Sequence, residues 1–327
     1  MTVPTLTRAQ ELVRMACYAP SAYNSQPWSW RINQDGAEVE LHADRSRQLA
    51  VTDPTGRNLA LACGAALDHF ETAARAFGLH AEVALFPDPN QPDLFARLQL
   101  SSTSTSPHDI DMLTAIENRR TDRRGFTDWE LPPGRVENLA RAAAIVDVGV
   151  TAAPLAMQGQ VETLIEEARQ KHLRDPDVAA ELDAWVRRHS SDGVPPEAAV
   201  PDRREQVTPP PDRFSRSSIA PSETSTAQVV VLSTAGDEQP DWLAAGRGLS
   251  RVWLEAAVEG LAVVPQTQIT EVESTRIALR QLLELAGWPQ VVVRLGWQES
   301  SAPHLPAPPA RTRRCASPSS ADEEENR

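Results

Sequence analysis

Residues 20–28 read PSAYNSQPW. Pro20 and Pro27 lock their own φ and push the residues before them out of the helical region, so the segment between them is stiff. Asn24 and Gln26 each carry one acceptor and two donors on the side-chain amide. Such a loop can match the alternating donors and acceptors on the pyrimidine edge of a flat heterocycle. It can equally be a structural corner, with prolines ending a helix and tryptophans anchoring a hairpin. N-terminal to it, Leu12, Val13, Ala16 and Cys17 fall near helical spacing, which predicts a helix over 7–18 that stops before Ala19-Pro20. C-terminal to it, WSWRIN and AEVELHA are short β-type runs around Asp35-Gly36, a hairpin signal.

Further along, GRNLALACGAALDHFETAARAFG predicts a helix capped by Gly78, and HAEVALF and FARLQL predict strands before the linker SSTSTSP. Beyond it, DIDMLTAIENRR and RVENLARAAA read as helices on either side of a turn, followed by two polar helices at about 158–173 and 176–189. AQVVVLST reads as a buried strand, DWLAAGRGLSRVWLEAAVEGLAV as a long helix, STRIALRQLLELAG as another helix and QVVVRLGW as a last strand. The window 62–79 aligns without gaps on 244–261, with Ala62/Ala244, Gly64/Gly246, Leu67/Leu249, Ala74/Ala256 and Gly78/Gly260 in register. Two alanine-rich helices can match by composition, but each comes late in its half and each precedes strand-like sequence. Residues 190–225, rich in Pro, Ser, Asp and Arg, read as a long connection of the kind that forms lids, binding loops or disordered segments. CASPSSADEEENR (315–327) reads as a disordered acidic tail.

Composition narrows the function classes. The 327-residue chain is 41% apolar and 24% charged, as globular proteins are, with no run long enough to span a bilayer. MTVPTLTRAQ lacks the features of a signal peptide, which places the protein in the cytoplasm. A net charge of −13 disfavours nucleic acid and anionic membranes as partners. Cys17, Cys63 and Cys315 form neither a disulfide framework nor a zinc motif, and the histidines show no clustered metal set. There is no P-loop, GxSxG or HExxH. GRGLSR (246–251) lacks the third glycine of a dinucleotide fingerprint and lies within helical sequence.

A second stretch complements the proline loop. NRRTDRRGF (118–126) sets Arg119, Thr121 and Arg123 on alternate positions where a helix gives way to a turn, so two cations and a hydroxyl can converge on a phosphate-sized anion. A solvated, salt-bridged basic turn is the alternative. Together, PSAYNSQPW and RRTDR resemble the two signature motifs of the FMN-dependent nitroreductase family, the first throughout and the second with Thr for Ser. The resemblance extends through the alanine-rich helices to VVVRLGWQESSAPHLPAPPARTRR.

In the ordinary family the phosphate motif comes first, and each flavin site of the homodimer takes one motif from each subunit. Here the order is reversed, the first half carries no Arg-Arg-Ser, and the second half reads AAAIVDVGVTAAP where its own proline loop would fall. The chain is therefore similar to the tandem, Acg-like branch of that family from actinobacteria. This implies an α+β nitroreductase-like fold of two fused subunit-like halves, 1–105 and 106–314, forming an internal pseudo-dimer, so a monomer is expected.

The resemblance further implies one FMN. Pro20, Ser21, Asn24 and Gln26 would face the ring, and Arg119, Thr121 and Arg123 would hold the phosphate. Arg311 or Arg313 would add a cationic contact, and Gln266 and Thr267 would approach flavin N5. The expected activity is hydride transfer from NADPH or NADH through the flavin to a nitroaromatic or quinone-like acceptor, with no protein acid or base and no metal. A flavin storage protein whose lid, at 190–225, keeps nicotinamide out is the competing expectation, and a flavin-free protein carrying relic motifs is a third.

Overall fold

The protein is described from a computed structural model, which covers residues 4–121, 126–186, 227–298 and the backbone of 316–318. Arg123, Arg311, Arg313 and the expected lid at 190–225 lie outside these residues, as does the tail after 318.

Helix α1 (Leu6–Ala16) starts at Thr5, whose hydroxyl accepts from the Arg8 amide at 3.3 Å, and it buries Ala9, Leu12, Val13, Met15 and Ala16. The loop 17–27 then leads into β1 (Trp28–Ile32) and β2 (Glu38–Ala43), an antiparallel pair. Their turn is built as expected: Asp35 accepts from the Ala37 amide at 2.7 Å and Gly36 takes φ 73°. Helix α2 (Arg57–Ala76) follows, then the antiparallel strands β3 (Leu79–Leu85) and β4 (Leu94–Ser102). The next helix, α3 (Pro107–Asn118), opens with a capping box between Ser106 and Asp109.

The remainder comprises α4 (Arg135–Ala144), β5 (Gly149–Ala152), α5 (Leu155–Arg174), α6 (Pro176–Val186), β6 (Gln228–Thr234) and α7 (Gln239–Val258). These are followed by β7 (Ala262–Gln266), α8 (Gln268–Glu271), α9 (Glu273–Leu282), β8 (Trp288–Gly296) and β9 (Ala316–Pro318).

Two expectations need correction, and one strand was not foreseen. The long helix predicted through Ala262 and Val263 ends earlier, because Gly260 takes φ 77° and the Leu261 amide bonds back to Ala256 O; the apolar run beyond is strand β7. GVTA, four half-exposed residues without clear alternation, is strand β5. Finally, Ala316–Pro318 of the expected disordered tail pairs in parallel with β1. The acidic run begins only at Asp322, and an edge strand tolerates a proline, so an uncharged stretch is free to pair there.

The strands form two sheets, β3-β4-β2-β1-β9 and β5-β6-β8-β7. Without β9 they repeat one plan. Each has a first antiparallel pair, a hairpin in β1–β2 but separated by α5 and α6 in β5–β6, then a 20-residue helix, then two strands of which the second inserts beside the first pair, and every pairing among these eight strands is antiparallel. Helix α1 packs on α2 as α4 packs on α7. Arg8, Leu12, Arg14 and Ala16 of α1 match Arg135, Leu139, Arg141 and Ala143 of α4 without a gap.

Helices α2 and α7 cross at the centre, and the contact is reciprocal. A Cβ on Gly64 would strike the carbonyl of Leu243, and one on Gly246 would strike that of Leu61, the position equivalent to Leu243. Asp68 and Ser250 are also equivalent positions, and they bond each other at 2.6 Å. Self-complementary contact of this kind is what a twofold axis produces.

Candidate functional site

The 20–28 loop is stiffer than its prolines alone require. Ser21 O accepts from the Asn24 amide at 3.0 Å, the Ser21 hydroxyl accepts from the Gln26 amide at 3.0 Å, and the Gln26 side chain donates to Asn24 O at 3.4 Å. Tyr23, Asn24 and Gln26 all have left-handed backbone, with φ of 50°, 52° and 48°. Asparagine adopts that region readily, whereas tyrosine and glutamine pay for it, so the conformation persists because its surroundings over-determine it. Those surroundings are visible: Arg47 Nε donates to Ser25 O at 2.6 Å, and Pro27 O accepts from the Asp44 amide at 3.0 Å and the Cys63 thiol at 3.5 Å. Pro20, Ser21 and Asn24 remain partly exposed, while Gln26 is wholly buried.

Arg119 closes the C-terminus of α3, and the fold carries it to the foot of this loop. Its Nη2 donates to Tyr18 O at 2.8 Å, two residues before Pro20, and its guanidinium lies 4.5 Å from the ring centre of Trp253 on α7. The residue is 5% exposed. Burial, and then the neighbouring Arg120 charge, lower its pKa to about 9. Its Nε has no acceptor, and among the described residues no carboxylate pairs with it. A buried cation compensated only by one carbonyl and a π face is costly unless an anion completes it. Thr121 stands two residues on, half-buried; Arg120 instead turns back to the carbonyls of Glu117 and Arg119 at 2.8 and 2.7 Å.

Gln266 and Thr267 sit where β7 runs into α8. That junction is tied to the N-terminus of α2: Arg57 donates to the Thr270 hydroxyl at 3.1 Å, and Asn58 donates to Glu271 at 2.8 Å. A third element approaches from α6. Glu181 accepts from the amides of Val51 and Thr52 at 2.9 and 3.0 Å and from the Thr52 hydroxyl at 2.8 Å, and Trp185 lies under Arg47 at 5.4 Å. Helix α6 is thereby fastened to the arginine that holds the 20–28 loop. Among the described residues no group of His, Cys, Asp and Glu could hold a metal ion, and no helix is long and apolar enough to cross a membrane.

Sequence reasoning missed Tyr18, Arg47, Trp253 and Glu181. Each acts by contact across a large sequence distance, and only Tyr18, adjoining the proline loop, left a local signal.

Residues 116–297 match the model of the Nitroreductase family. Two Mycobacterium tuberculosis proteins align over nearly the full length. "Putative NAD(P)H nitroreductase Rv3131" is 32% identical, covering 94% of this chain and 90% of its own. "Putative NAD(P)H nitroreductase acg" is 34% identical, covering 96% and 95%. The crystal structure of the FMN-dependent nitroreductase NfnB from Mycobacterium smegmatis in complex with NADPH overlaps 59% of this chain and 90% of its own, at 14% identity and a TM-score of 0.40.

Proposed function

Because the chain belongs to the nitroreductase family, we propose that it holds one FMN between two fused halves, 1–105 and 106–314, and works as an NAD(P)H-dependent flavin oxidoreductase. The observation that carries this reading is Arg119: a buried cation that meets no carboxylate among the described residues, bonded to Tyr18 two residues before the amide-bearing loop.

The residues present fit the cofactor on two counts. The orphaned guanidinium suits a phosphate, and Ser21 and Asn24 stand partly exposed on a strained loop suited to one fixed heterocycle edge. In this reading Arg119, Thr121 and Arg123 hold the phosphate, with Arg311 or Arg313 adding charge. Pro20, Ser21, Asn24 and Gln26 shape the ring's seat, and Gln266 and Thr267 lie toward N5. When bound, the isoalloxazine supplies the redox chemistry, taking hydride from NADPH or NADH and passing electrons to a nitroaromatic or quinone-like acceptor. The protein's part is to bind, orient and exclude water. The left-handed backbone at Asn24 fixes its amide before the cofactor arrives, which lowers the ordering cost of binding.

A second reading, flavin storage with little turnover, is favoured by the fastening of α6 through Glu181 and Trp185, which holds an element of the second half down beside the loop. Two spectra separate these readings. Flavin released on denaturation should approach one per chain, and none would sink both. Anaerobic bleaching by NADPH supports the oxidoreductase, whereas a bound flavin that NADPH and NADH leave oxidised supports storage.

A further inference from the structure

Behind Arg119 runs a buried chain of polar side chains to which the flavin reading gives no role. Asp68 and His69 on α2 and Ser250 on α7 are all removed from solvent. Asp68 is ion-paired with Arg251 Nε at 2.9 Å, so its carboxylate only accepts, and the Ser250 hydroxyl, 2.6 Å from Asp68 Oδ2, gives its single proton there. Toward His69 Nδ1, at 3.0 Å, Ser250 is left as an acceptor. The Ala65 carbonyl, also 3.0 Å from Nδ1, is an acceptor by nature.

Two acceptors on one nitrogen fix the proton on Nδ1 and leave a lone pair on Nε2. Burial, and then the charge of Arg119, lower the imidazole pKa to about 3, so the ring is neutral near pH 7. His69 Nε2 is buried without a partner, and so is Arg119 Nε. Among the described residues one atom is an acceptor lacking a donor and the other a donor lacking an acceptor, and both side chains meet the same face of α7 one turn apart, His69 at Ser250 and Arg119 at Trp253.

We infer that His69 is a positioning residue for Arg119: its Nε2 lone pair takes the guanidinium Nε–H as that group closes on an anion, while Tyr18 O holds Nη2 and Nη1 is left for the phosphate. A carboxylate in this place would also orient the arginine, but it would cancel the charge and repel a phosphate. A neutral imidazole orients without cancelling. At the position equivalent to His69 stands Arg251, whose charge Asp68 does compensate. The inference rests on the flavin reading above, and it adds a residue that neither signature motif contains.

The test compares two polar replacements by the affinity of the refolded protein for FMN and for riboflavin, which lacks the phosphate. His69→Asn keeps an amide at the Nδ1 position but nothing at Nε2. His69→Gln can place its amide oxygen where Nε2 was. The expected result is a roughly tenfold fall in the FMN-to-riboflavin affinity ratio for His69→Asn, a ratio within about twofold of the parent for His69→Gln, and riboflavin affinity unchanged in both. In an Arg119→Ala background His69→Asn should add nothing. An unchanged ratio in His69→Asn, equal losses in the two variants, or full additivity with Arg119→Ala overturns the inference alone. A parent protein that does not prefer FMN over riboflavin overturns the flavin reading first, and this inference with it.

Discussion

The two sides of the α2–α7 crossing are built from equivalent positions, yet they end differently. On one side Tyr18 O accepts from Arg119, and no carboxylate meets that cation among the described residues. On the other, Ile145 stands where Tyr18 would and Arg251 where His69 would, beside a cleft of about 490 Å³ between α3, α4 and α7. There most of the arginines meet carboxylates, Arg251 with Asp68, Arg75 with Asp109 and Arg135 with Glu259, while His108 bonds Glu255 and Arg141 turns to Asn138. Ile145, 71% exposed, meets no arginine of the kind that α3 supplies to Tyr18 among the described residues. The backbone plan is common to both sides, and the difference between them lies in how far the cations are compensated. Where one backbone plan occurs twice in a chain, asymmetry of charge can thus come from a handful of side chains.

The comparison is most exposed at its axis. Gly64→Leu and Gly246→Leu each force a side chain into the opposing helix backbone, and each should destabilise by at least about 4 kcal/mol, read by denaturant unfolding. A large loss at one glycine with tolerance at the other would show that the crossing is not reciprocal. Next comes the compensated side. Asp68→Asn strips the partner from Arg251 and should destabilise by about 3 kcal/mol, with Arg251→Leu in the same protein recovering part of the loss.

An effect that is absent at neutral pH and grows only in acid distinguishes the two sides next. Folded His69 has its pKa lowered to about 3 from an ordinary 6.5, so below pH 6.5 the unfolded chain takes up a proton that the native chain refuses. Its stabilising contribution is therefore whole above pH 6.5 and falls by up to about 1.4 kcal/mol per pH unit as acid is added, down to about pH 3. His69→Gln should flatten that part of the stability profile, measured by chemical denaturation across pH. A variant with an unchanged slope would refute the neutral assignment. The smallest effects belong to the matched surface contacts. Arg8 donates to Phe77 O at 3.3 Å and Arg135 pairs with Glu259 at 2.7 Å, at equivalent places in the two halves. Alanine at either should shift Tm by an amount equivalent to no more than about 1 kcal/mol.

Much of this was legible in the residues. The Asp35-Gly36 hairpin, the Gly78 cap and the alanine-rich pair of helices could be placed because turn chemistry and helical periodicity are local properties. The window 62–79/244–261 turned out to mark the reciprocal crossing itself, since close approach of two backbones selects for small residues on both helices. Strand β7 was hidden because GLAVV continues an apolar run, and only the left-handed Gly260 separates helix from strand. Strand β5 was hidden because four half-exposed residues carry no alternation to read. At the site, both motifs could be singled out from their residue types. The roles of Tyr18, Trp253 and His69 were not legible, because an aromatic or a lone histidine in helical sequence looks like core until the partner it meets from the other half is known.

The pairing of β9 with β1 sets an order in time. Strand β1 begins at residue 28 and its outer neighbour ends at residue 318. During synthesis the strands of the first sheet leave the ribosome before those of the second, yet the edge at β1 stays uncovered until residues 316–318 have been made. An open edge is a template for unwanted pairing, and the nascent chain carries one throughout the translation of the second half. The half that begins folding first is the last to be finished.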